Sequence, residues 1–435
     1  MMDRYSQILE YINSTPKFTK KTDHRNIKEL LSRLGNPQDG IKAVHIAGTN
    51  GKGSVAKMIS GFLINSGYKT GLFTSPHLVK MNERIQINGV EISDDELVAL
   101  FDKINKSVDF KKLLDETSDK ENELQHPAFF ELLFLIACLY FKEKDCDYVV
   151  YETGLGGRLD ATNIISPEIS IITSIGMDHM QYLGNSIESI AGEKAGIIKT
   201  GIPVVYNTGE EVADKVIEEK AEKLGSPYYN VKSYKLKTDI ILEDYDHLYA
   251  LYQKENAKTA ITAFEIMNQA KVICKNIREI VDKTLKSFNW PGRMEFLTHN
   301  ILIDGAHNVD AMNKYVESVK AIQEKDGWSK LSLIFAVSSD KDYDNMIKIL
   351  VNNLDFTNVY VSEINSDRRQ DAGVEAQIFY DYMRDDNHFS VKAFKDLESA
   401  WNVARKDQED DTLLLVVGSL YMVGELKSIF TDENS

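Results

Sequence analysis

Residues 42–57 read KAVHIAGTNGKGSVAK. Val44, His45, Ile46 and Ala47 form a short, mostly apolar run that ends at a glycine, and an amphipathic segment opens at Gly53, so the local order is strand, tight loop, helix. The loop Gly48-Thr49-Asn50-Gly51-Lys52-Gly53-Ser54 then sets backbone N–H groups at a helix N-terminus, where unpaired donors and the helix dipole attract phosphate. It adds a lysine ammonium for phosphate oxygens and a serine hydroxyl for Mg²⁺. The pattern departs from G-x-x-x-x-G-K-[ST], because Gly53 separates Lys52 from Ser54. A glycine-rich turn between any strand and any helix is the plainer reading, but three glycines, a lysine and a hydroxyl after a buried type of strand favour phosphate.

The surrounding 435 residues, 43% apolar and 27% charged, have the composition of an ordinary globular protein with room for two or three domains. A net charge of −16 argues against a nucleic-acid or membrane-surface partner, so any phosphate site has to be local. Cys138, Cys146 and Cys274 lack metal-type spacing and imply reduced thiols rather than a disulfide framework. The opening MMDRYSQILEYINS has charges and tyrosines where a secretory leader needs an apolar centre, and no run of about eighteen apolar residues occurs, so a cytoplasmic location is expected. The lysine-rich stretch 103–120 reads as a solvated helix or loop.

Strands and helices alternate outward from the loop. Two helices lie within residues 3–35, strands are expected at 69–74, 147–152, 169–173 and 203–206, and a hairpin at 84–89. Residues 127–144, PAFFELLFLIACLYFKEK, are apolar almost all round, as for a helix pressed on a sheet. Residues 187–199 read as one helix, segments within 226–252 as small antiparallel strands, and 256–287 as two helices. Trp290-Pro291-Gly292-Arg293 breaks the pattern, and strands follow at 301–304, 331–337, 357–361, 390–393 and 412–417. The fold class expected is α/β in two domains: an N-terminal, mainly parallel, helix-covered sheet bearing the phosphate loop (1–289), a linker (290–296), and a smaller doubly wound domain (297–435).

Strand ends bring Ser75, Glu152 and His179 to the rim of the phosphate loop, a hydroxyl, a carboxylate and an imidazole suited to a hard divalent cation. Each has a bland alternative, since a lone loop histidine is more often structural. Glu152 opens the glycine-rich stretch that runs to Asn163 and carries Arg158 and Asp160, consistent with backbone lying close to a ligand or with a plain surface loop. By composition Lys194 is a solvated helix lysine, and Asn256 a helix cap. Asp304-Gly305-Ala306-His307-Asn308 follows the first strand of the second domain, beside the expected cleft.

Taken in order, these motifs resemble the folylpolyglutamate synthase and dihydrofolate synthase family of the Mur ligase superfamily. The resemblance runs from HIAGTNGKGS (45–54) through TSPHL (74–78), Glu83-Arg84-Ile85, Glu152 to Asn163, Asp178-His179 with Leu183-Gly184, EKAG (193–196) and Pro291-Gly292-Arg293 to DGAHN (304–308), and the displaced glycine is that family's own form. It implies an ADP-forming ligase that joins L-glutamate to a folate derivative through an acyl phosphate. It further implies ATP held by Asn50, Gly51, Lys52, Gly53 and Ser54 with Asn256, Arg293 and Asp304. Two Mg²⁺ ions would be placed by Ser75, Glu152 and His179, and Lys194 would be carbamylated. The folate would lie against Arg84, Ala128, Phe129, Phe130, Glu131, Leu159, Asp160 and Ala161, with His307 orienting phosphate or amine. Lys52, Lys194 and His307 are then the expected catalytic residues. In members that also make dihydrofolate the position of Ala128 can carry a hydroxyl, which is absent here, so polyglutamylation is the assignment and dihydropteroate an open second substrate. A monomer without nucleic-acid or membrane partners is expected. The competing class is a P-loop NTPase switch or transporter-type ATPase, disfavoured by the metal motifs and second α/β domain. A Mur ligase of cell-wall nucleotides is disfavoured because no further domain precedes the loop.

Overall fold

A computed structural model of the chain describes residues 3–16, 23–115, 124–383 and 389–433. The chain divides into two compact units, Met1–Ile241 with Asn256–Phe288, and Leu242–Glu255 with Asn289–Ser435.

The first unit is built on an eight-stranded sheet. Its strands are β1 (Lys42–Ala47), β2 (Thr70–Phe73), β3 (Ile85–Ile87), β4 (Val90–Glu91), β5 (Tyr148–Glu152), β6 (Ile169–Ile172), β7 (Val204–Tyr206) and β8 (Tyr228–Asn230), in the order β4-β3-β2-β5-β1-β6-β7-β8. From β2 to β8 every neighbouring pair is parallel, and the β3–β4 hairpin adds an antiparallel edge. Parallel strands need crossovers, and these leave helices over the sheet. The helix Phe129–Glu143 shares one core with Phe73, Val149 and Tyr151, its Phe134 ring 5.6 Å from that of Tyr151. Phe62, on the phosphate-loop helix Lys52–Asn65, packs against Phe264 of the helix Leu251–Ala270 at 5.2 Å. Burial is unbroken along β2, β5 and β6 and nearly so along β1, as a doubly covered sheet requires.

The second unit carries β9 (Glu295–Thr298), β10 (Ile301–Asp304), β11 (Lys330–Phe335), β12 (Phe356–Ser362), β13 (Ser390–Phe394) and β14 (Thr412–Val417), ordered β13-β12-β11-β14-β10-β9. All pairs are parallel except β9 with β10.

The expected α/β architecture is therefore present, with local corrections. The region 226–252 holds one strand, β8, and it is parallel to β7 rather than part of an antiparallel set. The antiparallel edge strand β9 was not anticipated. The helix expected over 187–199 ends at Lys194 and tightens into a 3₁₀ turn over Ala195–Ile197. Within the lysine-rich stretch, Ile104, Val108 and Phe110 are buried, so it is a packed amphipathic segment; residues 116–120 lie outside the described residues.

Glu375, in the first turns of the helix Ala372–Met383, is wholly buried, and neither carboxyl oxygen has a hydrogen-bond partner among the described residues. Burial, reinforced by the charges of Asp371 and Glu363, pushes its pKa up to about 9. Those two carboxylates are themselves paired, Glu363 with Lys395 and Arg369, and Asp371 with Lys395. The folded state thus keeps a proton that the unfolded chain gives up near pH 4.5, and between these values rising pH favours unfolding. Denaturant titrations at pH 5, 7 and 8.5 should show stability falling by roughly 1 kcal/mol per pH unit, and Glu375→Gln should flatten that slope. An unchanged slope in the variant would contradict a buried, protonated Glu375.

Candidate active site

The phosphate loop is set by its flanking elements. Strand β1 buries Val44, Ile46 and Ala47 and runs into Gly48, and the helix begins at Lys52. Between them the loop is tied to the segment after β6. Thr49 N–H donates to Ser174 O at 2.7 Å, Asn50 N–H to Ser174 Oγ at 3.3 Å, and Thr173 Oγ1 to Asn50 O at 2.7 Å. Gly51 has φ +85°, and a Cβ there would stand 2.3 Å from Asn256 Oδ1, so both conformation and space demand glycine. Asn256 is accordingly no helix cap: its helix begins at Leu251, and the side chain lies against the phosphate loop. Lys52 curls back over the loop and donates to Gly48 O and Thr49 O, each at 3.1 Å. Gly53 and Ser54 lie in the first turn of the helix, where amides lack intrahelical acceptors.

Because β2, β5, β1 and β6 are parallel neighbours, their C-terminal ends lie along one edge. Ser75 follows β2 and Glu152 ends β5, and the structure joins them directly, Ser75 N–H donating to Glu152 Oε2 at 3.0 Å. His179 stands on the loop after β6, with β1 between β6 and β5. Its backbone is left-handed, φ +51°, and its N–H donates to Asp178 Oδ1 at 2.8 Å. For a non-glycine residue this conformation is uncommon and recurs at functional loops. Among the described residues no three His, Cys, Asp or Glu side chains form a group able to hold a metal. The set Ser75, Glu152 and His179 holds two such groups and a hydroxyl, and as donors they suit a hard cation that keeps water in its other positions.

Lys194 is not the solvated lysine its composition implies. It ends the helix Ile187–Lys194, is 3% exposed, and donates to Gly48 O at 2.6 Å, the same carbonyl that Lys52 approaches. Burial first, and the charge of Lys52 second, push its pKa well below the usual lysine range against the opposing pull of Asp178 and Asp160. That shift favours the neutral amine over the ammonium.

The loop after β5 folds against this helix. A Cβ on Gly157 would meet Glu193 O at 2.8 Å, Arg158 N–H donates to Glu193 O at 2.7 Å, and the Arg158 guanidinium pairs with the Glu193 carboxylate at 2.8 Å. Gly154 lies so close to Phe130 that a Cβ would meet the ring at 2.8 Å. Asp160 draws the loop together, its carboxylate accepting from Gly154 N–H, Leu155 N–H, Thr162 N–H and Thr162 Oγ1 at 2.6 to 3.0 Å. Leu159 and Phe129 are half-buried, Ala161 is buried, and Glu131 accepts the Ala128 N–H at 2.9 Å. Arg84 lies over the Phe129 ring at 5.3 Å and donates from Nε to His77 Nδ1 at 2.8 Å. Sequence reasoning passed over His77, and also Glu83, whose carboxylate accepts the N–H groups of Leu78, Val79 and Lys80. The TSPHL and Glu83-Arg84 motifs contained both, but nothing in their spacing showed that they brace one loop.

Arg293, Asp304 and His307 belong to the second unit. Asp304 is buried at the end of β10; Oδ2 accepts from Met294 N–H at 2.8 Å and from the Tyr252 hydroxyl, and Oδ1 from Ala306 N–H at 2.7 Å. Burial raises its pKa against the pull of Arg293. A Cβ on Gly305 would stand 2.4 Å from an Arg293 guanidinium nitrogen, and His307 Nδ1 lies 2.8 Å from Gly305 O.

Comparison with known proteins places the chain in a family. The Mur ligase middle domain matches residues 46–275, and the Mur ligase glutamate ligase domain matches residues 292–420. A dihydrofolate synthase/folylpolyglutamate synthase of Bacillus subtilis is 34% identical, with 98% of this chain and 99% of that protein aligned. The chain belongs to the folylpolyglutamate synthase and dihydrofolate synthase family of Mur ligases. A folylpolyglutamate synthase of Lacticaseibacillus casei is 32% identical over 97% of this chain and 98% of its own. Among solved structures, the folylpolyglutamate synthase of Thermotoga maritima superposes with a TM-score of 0.80 at 31% identity, covering 99% of this chain and 97% of that one. The Mycobacterium tuberculosis folylpolyglutamate synthase complexed with ADP does so at 0.85 and 26%, covering 98% of each. Like the other members of its family, the protein is an ATP-dependent ligase.

Proposed function

We propose that this ligase adds L-glutamate to the terminal carboxylate of a reduced folate. The observation that carries the reading is the pairing of a phosphate loop crowned by Lys52 with the Ser75–Glu152 contact at the adjoining strand ends. Asn50, Gly51, Lys52, Gly53 and Ser54, completed by Asn256, Arg293 and Asp304, hold ATP. Arg84, Ala128 to Glu131 and Leu159 to Ala161 hold the folate. A carboxylate oxygen attacks the γ-phosphorus of ATP, ADP leaves, and the amine of glutamate displaces phosphate from the acyl phosphate to form the amide. Lys52 and the loop amides meet the charge that develops on the transferred phosphoryl, where such catalysis mostly acts. Mg²⁺, as two ions held by Ser75, Glu152 and His179, would shield the phosphate charges. His307 orients the phosphate or the incoming amine. Residues 1–289 serve as the ATP-binding domain, 290–296 as linker and 297–435 as the ligase domain, in a cytoplasmic monomer without nucleic-acid or membrane partners. Among the described residues no helix is long and apolar enough to cross a membrane.

Lys194 completes the site as a carbamate. The neutral amine attacks the carbon of CO₂ and releases a proton to water, leaving an anionic carbamate that Lys52 attracts where a Lys194 ammonium would be repelled. Enzyme equilibrated with ¹³C-bicarbonate should show a carbamate carbon resonance that Lys194→Arg abolishes; no resonance in the wild type would remove this part of the reading.

The name of the B. subtilis relative joins two activities, whereas that of the L. casei relative carries one. Mass analysis of products from tetrahydrofolate and from dihydropteroate, each with glutamate and ATP, separates them. Addition of a glutamyl group to tetrahydrofolate with equimolar ADP is expected. ADP release indifferent to both folate and glutamate would overturn the proposal in favour of a plain ATPase.

A further inference from the structure

His45 lies on β1, the strand that ends in the phosphate loop, and is fully buried together with Thr162. Its Nε2 stands 2.8 Å from Thr162 Oγ1, and that hydroxyl stands 2.6 Å from Asp160 Oδ1. An ionised carboxylate only accepts, so the hydroxyl proton points at Asp160 and a lone pair faces His45. The imidazole must then carry its proton on Nε2. Nδ1 is left as the unprotonated nitrogen, and among the described residues it has no hydrogen-bond partner. Burial and the charge of Lys199 hold the imidazole pKa down at about 3, which keeps this tautomer neutral at physiological pH.

The chain of bonds does not stop at Asp160. The same carboxylate gathers the N–H groups of Gly154, Leu155 and Thr162, so the direction in which it is held dictates the path of the glycine loop. A second brace acts on the far end: Asn163 Nδ2 donates to Arg158 O and Gly196 O, and Lys199 Nζ donates to Asn163 O at 2.6 Å. Besides the ties of Arg158 to Glu193, the loop is thus held by strand β1 through His45 and by the segment 196–199 through Asn163. Of these elements only β1 also carries the phosphate loop.

We propose that His45 is a positioning residue which, through the Thr162 hydroxyl, orients the Asp160 carboxylate and so sets the folate-binding geometry of the loop from Gly154 to Ala161. The proposal rests on the folate role assigned above to Leu159, Asp160 and Ala161. Breaking the relay leaves Asp160 with fewer donors and loosens the Gly154 and Leu155 amides, while the phosphate loop keeps its own ties to Thr173 and Ser174.

The test is the pair Thr162→Val and Thr162→Ser, with His45→Gln against His45→Leu as a second pair, Gln retaining an N–H near the Nε2 position. In Thr162→Val the KM for tetrahydrofolate should rise about tenfold, with kcat and the KM for ATP within about twofold, and amide hydrogen exchange of residues 153–163 should quicken about tenfold. Thr162→Ser and His45→Gln should restore most of both effects. Exchange and folate KM at wild-type values in Thr162→Val would overturn the inference. So would faster exchange with an unchanged folate KM, or an ATP KM rising in step with that for folate. A wild-type enzyme that glutamylates no folate overturns the proposed function instead, and the exchange comparison, which needs no turnover, still decides whether this relay holds the loop.

Discussion

The hydrogen bond from Lys194 to the carbonyl of Gly48, 2.6 Å long and shut away from water, is the constraint that sets a buried lysine against the phosphate loop. It fastens the helix Ile187–Lys194 to the first residue of the phosphate loop and brings a second amine to a carbonyl already approached by Lys52. A buried ammonium sharing its acceptor with a second ammonium is an unfavourable arrangement, and burial together with the charge of Lys52 lowers the Lys194 pKa. A strongly perturbed lysine set against a phosphate loop and within electrostatic reach of Asp178 and Asp160 has the profile of a residue kept for chemistry rather than for packing.

The fold serves this arrangement by placing its strands. Four parallel neighbours, β2, β5, β1 and β6, carry Ser75, Glu152, the phosphate loop and the Asp178–His179 turn to one edge, where open α/β sheets bind their ligands. The second unit repeats the pattern on a smaller scale, with β10 delivering Asp304 and the glycine after it lying against Arg293. In both units buried carboxylates are held by backbone amides: Glu152 by Ser75, Asp160 by three loop N–H groups, and Asp304 by Met294 and Ala306. Such bonds fix direction as well as charge.

Much of this was legible in the sequence, for physical reasons. Continuous apolar runs such as 148–151 mark doubly covered strands, and the glycines at 48 and 51 mark a loop that a side chain would obstruct. What escaped was set by partners far away in the chain. Nothing within EKAG announces that Lys194 is buried, because its acceptor, Gly48, lies 146 residues earlier in the chain, in the loop that follows β1. Asn256 looked like a cap until the helix was seen to begin at Leu251. Strand β9 is short, half-buried and closes an edge, so it lacks the run that betrays a central strand, whereas the alternation within 226–252 mimics strands that mostly find no partner. The left-handed backbone of His179 and the buried carboxyl of Glu375 leave no mark on the sequence at all.

The central claim is that the terminal phosphate of ATP, seated over Lys52, is passed to a substrate carboxylate before the amine arrives. Isotope transfer measures that directly. The enzyme is given ATP, glutamate and a reduced folate with ¹⁸O in its terminal carboxylate, and the inorganic phosphate released is weighed by mass spectrometry. Passage through an acyl phosphate leaves one ¹⁸O atom in each phosphate for every amide formed. Unlabelled phosphate alongside full amide formation would contradict it.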